Sequence, residues 1–492
     1  MPYPRERVYT IRVMKDVIII GAGAVGSFIA RSLSRYELSL LVIEKENDVG
    51  DVTTMANSAI SHSGYDPIPG TKKAIFNVAG NKMMPEVCKE LDIPYGKVGT
   101  LTVAIEDEQI PMLQELLERA KQNGVKARLV SADELKKMEP NINPEAKGAL
   151  LCPDGGIVNP FLLPVRAMEN AMDNGAELHL DEEVIGIEKV KDHYVVKTNK
   201  ASYEAKVVVN AAGLHSDDIA KMIEPISWSI FPRKGEYYVL DHYAPGLVNH
   251  VLFPLPSAKG KGVLVTMTTS GNYLVGPSSE IMNDKDSVST DVLTLDSVKA
   301  QAMTLVPKIP FNQQIRVYAG VRATPSTHDF IIEPSKKYAD FINVAGIESP
   351  GLVSSPAIGE YVATKLVGAV LPLKEKKSYE KSVKPYVNPL LMPLAERNAL
   401  IKAHPEYGEM VCQCEKVSFG QILDVLSRKV PCLSVKALKK RTRAGFGKCQ
   451  GGFCQPQVVR LLAEYYHVTP LEVLYDKPGS ALVKEEVKKE AK

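Results

Sequence analysis

The sequence lacks a strong net charge and any marked compositional bias. Its 60 lysines and arginines nearly balance 58 aspartates and glutamates, which leaves a formal charge of +2 over 492 residues. Basic residues are scattered, apart from Lys439-Lys440-Arg441 and the C-terminal tail, so we expect no role in nucleic-acid binding. With 45% hydrophobic and 24% charged residues, the chain is typical of a globular protein of several domains and not of a disordered, collagenous or coiled-coil one.

Long apolar runs and a secretory signal are also missing. The longest apolar stretch, Val17 to Ala30, is shorter than the ~20 residues that span a bilayer, so we expect no transmembrane helix. The N-terminus lacks the basic, then apolar, then small-residue order of a secretory signal, so we expect the protein in a reducing cytoplasm. The seven cysteines, an odd number, need not form disulfides there. Met14, at the abrupt start of a buried strand, is a candidate for the functional start. Three cysteines are expected to be inert core thiols: Cys88, Cys152 and Cys432.

A glycine loop near the N-terminus predicts a dinucleotide site. The β-branched run 17–20 is typical of a strand buried on both faces, and it leads into Gly21-Ala-Gly-Ala-Val-Gly26 and a helix extending to Leu33. The first glycine permits the turn, the second lets the backbone approach a pyrophosphate, and the third allows close helix packing. A second strand, predicted over 38–43, ends in Glu44, at the spacing of a ribose-binding carboxylate.

Four cysteines near the C-terminus predict an inorganic centre. Cys412 and Cys414 form a Cys-x-Cys pair, and Cys449 and Cys454 form a Cys-x4-Cys pair. Four thiolates can hold a [2Fe-2S] cluster or, as the lesser alternative, tetrahedral zinc. Helices are expected over 419–428, around 433–440 and over 455–466, with cysteines at helix starts gaining N–H donors toward sulfur.

Two later segments connect the glycine loop to a flavoprotein family. Lys206-Val-Val-Val-Asn210-Ala-Ala-Gly213 and Phe341-Ile-Asn-Val-Ala-Gly346, followed by Pro350-Gly351-Leu352, both read as buried strands that close on small residues. Together with the glycine loop, they resemble the discontinuous FAD fold of the D-amino-acid oxidase-like flavoproteins. The resemblance implies FAD contacts at Gly21, Gly23, Ala24, Gly26, Glu44, Asn57, Ser58, Val184, Gly213, Gly351 and Leu352.

The cysteine module also resembles a known domain. Its spacing is similar to that of the bacterioferritin-associated ferredoxin-like [2Fe-2S] domain, and the segment 441–454 resembles the form of that domain in anaerobic glycerol-3-phosphate dehydrogenase large subunits. The resemblance implies cluster ligation by all four cysteines. It also implies an electron acceptor, such as a second flavoprotein or a membrane-associated subunit, which would make the protein cytoplasmic or peripheral at the membrane.

Three segments supply candidates for the substrate face, which needs a base and a cation for an anionic alcohol. Ala56-Asn-Ser-Ala-Ile-Ser-His62-Ser-Gly64 resembles the family segment beside the isoalloxazine ring, which makes His62 the candidate base or flavin contact. Tyr318-Ala-Gly-Val-Arg322 resembles the family's Gly-x-Arg segment, whose arginine faces the substrate. Lys234 and Tyr237 lie on a strand that resembles one entering the flavin cavity. His328 is a weaker acid or base candidate.

These features predict an α/β protein with a Rossmann-like FAD domain, an inserted antiparallel-sheet substrate domain and a small helical iron–sulfur domain. The expected oxidoreductase spans 14–375, with FAD-domain pieces at 14–80, 150–225 and 330–375 and substrate-domain pieces at 81–149 and 226–329. A linker over 376–408, the cluster domain over 409–475 and a solvated tail over 476–492 follow.

The resemblances leave the substrate open. The leading expectation is an FAD-dependent dehydrogenase that oxidises glycerol 3-phosphate to dihydroxyacetone phosphate and releases electrons through the cluster. The N-terminal half also resembles L-2-hydroxyglutarate dehydrogenases and oxidases, and an amino-acid or opine dehydrogenase is a third reading. A non-catalytic electron-relay subunit is the contrasting class.

Overall fold

The computed structural model describes residues 14–242, 246–256 and 262–485. The residues before Met14, and residues 486–492 of the expected tail, lie outside these ranges. The strands are Lys15–Ile20 (β1), Leu40–Ile43 (β2), Ile60–Ser61 (β3), Tyr95–Gly96 (β4), Thr100–Ala104 (β5), Arg128–Ser131 (β6), Gly148–Cys152 (β7), Gly156–Val158 (β8), Glu177–His179 (β9), Val184–Val190 (β10), His193–Thr198 (β11), Ser202–Asn210 (β12), Ile230–Leu240 (β13), Val251–Pro254 (β14), Leu264–Met267 (β15), Tyr273–Gly276 (β16), Glu280–Ile281 (β17), Gln314–Pro325 (β18), Ile331–Pro334 (β19), Phe341–Ala345 (β20), Met410–Cys412 (β21) and Val417–Ser418 (β22).

The α-helices lie between these strands and dominate the C-terminal part. They are Ala24–Leu33 (α1), Lys72–Glu90 (α2), Ile110–Gln122 (α3), Ala132–Met138 (α4), Leu162–Asp173 (α5), Ser216–Lys221 (α6), Val292–Leu305 (α7), Gly351–Tyr361 (α8), Leu394–Ala403 (α9), Phe419–Leu426 (α10), Val435–Thr442 (α11) and Gln455–Tyr466 (α12). Within the described ranges, no helix combines the length and the apolar character needed to cross a bilayer.

An eight-stranded sheet carries the nucleotide-binding half. Its strand order is β10-β11-β12-β1-β2-β9, with β20 paired to β12 and β19 to β20. The β12-β1-β2-β9 strands and the β12–β20 pair are parallel. Val17 and Ile19 of β1 pack in the core under α1, whereas Ile18 and Ile20 pack in a separate core on the opposite face. This arrangement confirms the α/β fold, because only a sheet covered on both sides buries consecutive apolar residues in this way.

A nine-stranded open sheet forms the second half. Its order is β17-β13-β16-β15-β14-β5-β7-β6, with β18 paired to β13. Most pairs are antiparallel, as expected, but β14 and β5 run parallel. The segment 229–330, which was expected to form an antiparallel sheet, also contains the helix α7. Asp291 caps this helix by accepting a hydrogen bond from the Thr294 N–H, and Leu295, Val298, Ala302 and Leu305 bury one face.

The domain boundaries expected from composition differ from the observed elements at two places. The boundary at residue 80 falls inside α2, and the boundary at 150 falls inside β7, which belongs to the nine-stranded sheet. A short third sheet consists of β3, β8 and β4. In the chain, these strands lie between strands of the two larger sheets.

The C-terminal part departs from expectation in three details. The helices α10 and α11 are shorter or shifted relative to the expected 419–428 and 433–440, whereas α12 spans the expected residues. The expected linker contains the helix α9. The start of the expected tail is not a free end, because Asp476 and Lys477 form ion pairs with Lys436 and Glu46.

Candidate active site and cysteine site

The glycine loop between β1 and α1 has the geometry that its spacing predicts. Gly21 has φ of +103°, and a Cβ there would lie 2.5 Å from the carbonyl oxygen of Ala211. A Cβ at Gly26 would lie 1.9 Å from the Gly21 carbonyl oxygen, so any larger residue would push α1 away from the loop. The Ala24 N–H at the start of α1 donates to Thr54 Oγ1 at 3.0 Å.

Glu44 lies at the end of β2, beside this loop, and is buried. Its carboxylate accepts hydrogen bonds from the Ala22 N–H at 2.7 Å and from the Glu46 N–H at 2.9 Å. Burial nevertheless dominates and raises the pKa of Glu44 to about 7. The two backbone N–H donors are therefore not enough to offset the burial of this carboxylate. Further donors, such as ribose hydroxyl groups, would stabilise its charged form.

Two cavities meet at the glycine loop. One of about 320 Å³ is lined by Glu44 and Val184, and a larger one of about 600 Å³ is lined by Asn57, Ser58, Gly351 and Leu352. Both cavities touch a shared set of residues, namely Gly23, Thr53, Thr54, Ala211 and Gly213. The result is an elongated cleft that runs along two helix N-termini, which fits a dinucleotide with its pyrophosphate at the glycines.

His62 lines the larger cavity and is only 9% exposed. Its Nε2 lies 3.5 Å from Ser349 Oγ, and its ring centroid lies 5.7 Å from that of Phe253. The His62 carbonyl oxygen accepts from Asn77 Nδ2 at 2.6 Å, which fixes the backbone at this point. The His62 imidazole therefore lies in the wall of the larger cavity, between Ser349 and Phe253.

The paired strands β13 and β18 form another wall of this cavity. In their register, Arg233 faces Arg322 and Tyr237 faces Tyr318. Both arginines and Tyr237 line the cavity, and the two tyrosine rings stack with centroids 4.7 Å apart and an 8° interplanar angle. Tyr237 Oη lies 3.2 Å from Ser58 Oγ, so the strand pair is tied to the segment that carries His62.

Two candidates from the sequence lie away from the cavity. Lys234 is 4% exposed, and its ammonium contacts Glu236 at 2.9 Å and the Ser289 carbonyl oxygen at 3.0 Å. Successive residues of a strand point to opposite faces, so Arg233, not Lys234, reaches the cavity. His328 lies in an exposed turn after β18 with φ of +61° and does not line the cavity.

The four C-terminal cysteines form two pairs in the folded chain. Cys414 Sγ and Cys449 Sγ are 3.7 Å apart on the accessible side. Cys412 and Cys454 are buried and hydrogen-bonded to each other, and this bond, with N–H groups of residues 414, 415 and 445, lowers the pKa of Cys412 to about 5. Backbone N–H groups of residues 451–453 point at Cys449.

This donor set fits a two-iron cluster, in which each iron takes two protein ligands. In the described part of the chain, no three His, Cys, Asp or Glu side chains converge on a position for a single metal ion. Only Cys454 lies at a helix start, where it precedes α12. The expectation that helix N-termini supply the N–H donors is therefore corrected, because the donors to Cys412 and Cys449 come from turns.

A buried ion network joins the cysteine module to the segment after Glu44. Arg441 Nη1 and Nη2 contact the two carboxylate oxygens of Asp48 at 3.0 and 2.6 Å. Lys440 Nζ lies 2.6 Å from both Asp48 and Asp51, and Lys436 Nζ bridges Asp51 and Asp476 at 3.4 and 2.6 Å. Burial alone would raise the pKa of Asp48, but the two cations outweigh it and hold that pKa well below its usual range.

A second contact ties the cysteine loops to the nine-stranded sheet. Arg443, in the left-handed region with φ of +71°, donates to Glu415 Oε2 at 2.7 Å and to Asn272 Oδ1 at 2.8 Å. Phe446 packs on Phe161 with ring centroids 5.4 Å apart. The cysteine module is therefore held on both halves of the larger domain by polar, ionic and aromatic contacts.

Comparison with known proteins matches both parts of the chain. The FAD dependent oxidoreductase family matches residues 16–365, and the BFD-like [2Fe-2S] binding domain matches residues 410–464. A glycerol 3-phosphate dehydrogenase from Caloramator mitchellensis is 43% identical over 96% of this chain and 98% of its own length. An L-2-hydroxyglutarate dehydrogenase from Indibacter alkaliphilus is 33% identical over 54% of this chain and 67% of its own length.

A solved structure also resembles the larger domain. It is the dithionite-reduced L-α-glycerophosphate oxidase from Mycoplasma pneumoniae with FAD bound, which is 29% identical. The match covers 76% of this chain and 100% of that one, with a TM-score of 0.73.

Proposed function

The chain belongs to the FAD-dependent oxidoreductase family, and from that premise we propose that it oxidises glycerol 3-phosphate to dihydroxyacetone phosphate and passes the electrons through its [2Fe-2S] domain to a partner. The observation that carries this proposal is the 43% identity to a glycerol 3-phosphate dehydrogenase over 96% of the chain, both domains included. The L-2-hydroxyglutarate dehydrogenases match less of the chain at lower identity, 29% over 72% of it for the Arabidopsis thaliana protein and 33% over 54% for the Indibacter alkaliphilus protein.

The residues around the two cavities have separate roles. The glycine loop, Glu44 and the N-terminus of α8 would hold FAD, which when bound accepts hydride from the substrate carbon. We assign His62, as neutral imidazole, to take the proton from the substrate hydroxyl, a role that typically contributes 10²- to 10⁴-fold in rate. Arg322 would fix the anionic end of the substrate and so orient the reacting carbon.

The cysteine module provides the path by which electrons leave the flavin. A [2Fe-2S] cluster held by Cys412, Cys414, Cys449 and Cys454 carries single electrons, so the domain implies transfer to another component. We propose that this component is a second flavoprotein or a membrane-associated subunit, which would place the protein in the cytoplasm or peripherally at the membrane.

Anaerobic titration of the purified holoprotein tests the substrate. Glycerol 3-phosphate should bleach the flavin absorbance stoichiometrically, whereas L-2-hydroxyglutarate and an opine should bleach it more than tenfold more slowly at equal concentration. Bleaching by L-2-hydroxyglutarate alone would replace the proposed substrate. Failure of all three compounds, with dithionite still reducing the flavin, would reject this substrate class.

Replacement of Arg322 separates an enzyme from an electron-relay subunit. Arg322→Ala should cripple flavin reduction by substrate, because the anion loses its guanidinium, but dithionite reduction and subsequent transfer to the cluster should be intact. Arg128→Ala is the control, since Arg128 lies at the exposed β6 edge of the same sheet and pairs with Glu134. In an electron-relay subunit, flavin reduction would be the same in Arg322→Ala and Arg128→Ala.

A further inference from the structure

Arg233 and Arg322 form an unusual pair in the nine-stranded sheet. They occupy directly opposite positions in the antiparallel pairing of β13 with β18, and both line the larger cavity. Side chains at opposite positions start only about 5 Å apart at Cβ, where two like charges destabilise a sheet. Such a pair therefore needs negative charge from elsewhere.

The described part of the protein does not supply that charge. Arg322 Nη2 donates to the Ser278 carbonyl oxygen at 3.1 Å, a neutral acceptor. Arg233 Nε is buried and has no hydrogen-bond acceptor among the described residues. In the same residues, neither guanidinium forms an ion pair with a carboxylate.

Two nearby carboxylates of the cavity wall have other partners. Glu348 lies 2.8 Å from Lys73 Nζ and accepts from Thr324 Oγ1 at 2.7 Å. Glu280 accepts from Thr294 Oγ1 at 2.8 Å. Among the described residues, neither acid forms an ion pair with Arg233 or Arg322, and both arginines line the cavity.

The backbone beneath the pair is shaped for Arg322. A Cβ on Gly235 would lie 2.6 Å from Arg322 Nη2 and 3.0 Å from the Ser278 carbonyl oxygen. Glycine at this position therefore lets the guanidinium lie across β13 toward Ser278. Because Gly235 is two residues from Arg233, the same stretch of β13 supplies one cation and makes room for the other.

We infer that Arg233 and Arg322 together bind the phosphate group of the substrate, with Arg233 as the residue that selects phosphate over a single carboxylate; this inference rests on the proposed function. A phosphate monoester carries about −1.5 to −2 charge at pH 7 and presents three acceptor oxygens, enough for two guanidinium forks. One carboxylate carries a single charge and matches one fork.

Stopped-flow reduction of the anaerobic holoprotein tests the role of Arg233. Arg233→Gln should raise the substrate concentration for half-maximal reduction by glycerol 3-phosphate roughly 10- to 100-fold, the size expected for one charge-assisted contact. The limiting reduction rate should fall less than the affinity, because His62 is untouched. Arg233→Lys should recover part of the loss, since it keeps the charge but not the fork. The matched control is Arg128→Gln on β6.

Inorganic phosphate gives a readout that needs no turnover. It should raise the thermal midpoint of the oxidised wild-type holoprotein more than acetate at equal ionic strength, and the difference should vanish in Arg233→Gln and persist in Arg128→Gln. Retained flavin absorbance in each variant, and the partial rescue by Arg233→Lys, distinguish lost binding from misfolding.

The outcomes separate the inference from the proposed function. Suppose that glycerol 3-phosphate reduces the wild-type flavin, but Arg233→Gln changes neither the affinity for glycerol 3-phosphate nor the response to phosphate. Phosphate binding by Arg233 is then wrong, and the proposed function stands. If glycerol 3-phosphate does not reduce the flavin but phosphate binding requires Arg233, phosphate binding by the arginine pair stands and the proposed function is wrong. Equal responses to phosphate and acetate, or an Arg233 effect on L-2-hydroxyglutarate alone, would overturn the phosphate assignment.

Discussion

Cys414 Sγ lies 3.7 Å from Cys449 Sγ, although the two residues belong to separate turns of the cysteine module. Cys412 and Cys454 are buried, whereas Cys414 is exposed and Cys449 is partly exposed. A cluster held by these four thiolates would carry single electrons, and the exposed Cys414 is the ligand that a partner could approach.

Loss of one outer ligand should remove the cluster. Cys414→Ser is expected to abolish the visible charge-transfer absorbance and reduce bound iron from about two atoms per chain, because a [2Fe-2S] centre needs four ligands. Cys88→Ala, in an apolar core of the larger domain, is the control and should keep full iron content. Stoichiometric zinc without sulfide in the anaerobic wild-type protein would contradict the cluster assignment.

The Asp48–Arg441 contact should dominate the attachment of the cysteine module. Asp48→Asn leaves Arg441 and Lys440 buried with one carboxylate fewer, and removal of one partner from a buried pair typically costs ~3–5 kcal/mol. We expect a lower thermal midpoint and faster proteolysis between the domains. Glu134→Gln, which breaks the exposed Arg128 pair, should change stability by less than ~1 kcal/mol.

Acid should weaken the same attachment. The folded-state pKa of Asp48 lies below the ordinary value of 3.8, so its contribution is complete above about pH 4 and is lost as the pH falls through the folded pKa. The stability difference between wild type and Asp48→Asn should therefore begin to shrink as the pH falls below about 4, and it should keep shrinking toward the folded pKa. A difference that stays constant from about pH 6 to about pH 2 would show that Asp48 acts through packing and not charge.

Affinity for FAD should depend on pH through Glu44. Burial raises the pKa of Glu44 to about 7, and ribose hydroxyls donate to the charged carboxylate, so FAD binding should favour the deprotonated form. The dissociation constant of FAD should fall as the pH rises from 6 to 8, by up to ~10-fold per unit below pH 7. Fluorescence titration of the deflavinated protein measures this. Glu44→Gln should bind more weakly and show a flat profile, whereas an unchanged slope would exclude Glu44.

Gly320 should tolerate no side chain. A Cβ there would lie 1.9 Å from the Ala56 carbonyl oxygen, so Gly320→Ala must push β18 away from the segment that carries Asn57 and Ser58. We expect a loss of roughly 1–3 kcal/mol in stability and reduced flavin occupancy. Gly186→Ala, where the nearest atom is 3.9 Å away, should retain the flavin. Equal occupancy in both variants would show that β18 can shift freely.

Local spacing predicted the parts of the site that local geometry determines. Gly21 and Gly26 contact each other within one turn. The cysteine spacing indicated a four-thiolate site, but the sulfurs that meet come from different spacing pairs, Cys414 with Cys449 and Cys412 with Cys454. The strand between Val17 and Ile20 was also predictable, because an unbroken apolar run requires burial on both faces.

Features that depend on register or distant partners could not be read from the sequence. Lys234 and Arg233 are neighbours, and a shift of one residue moves a side chain to the other face of a sheet. The face was decided by the pairing of β13 with β18, which lies about 90 residues away in the chain.

The run Lys439-Lys440-Arg441 looks like a surface patch in the sequence, but Lys440 and Arg441 are buried against aspartates near residue 50. For α7, the spacing of Leu295, Val298, Ala302 and Leu305 was an available signal that was missed.

The segment from Glu44 to Thr54 touches the nucleotide cleft on one side and the cysteine module on the other. Glu44 and Thr54 line the cavities, while Asp48 and Asp51 hold Lys440. Occupancy of the cleft and docking of the module therefore share one backbone segment. Any coupling between them is reciprocal, so a ligand that changes the docking equilibrium has its own affinity changed by docking to the same degree.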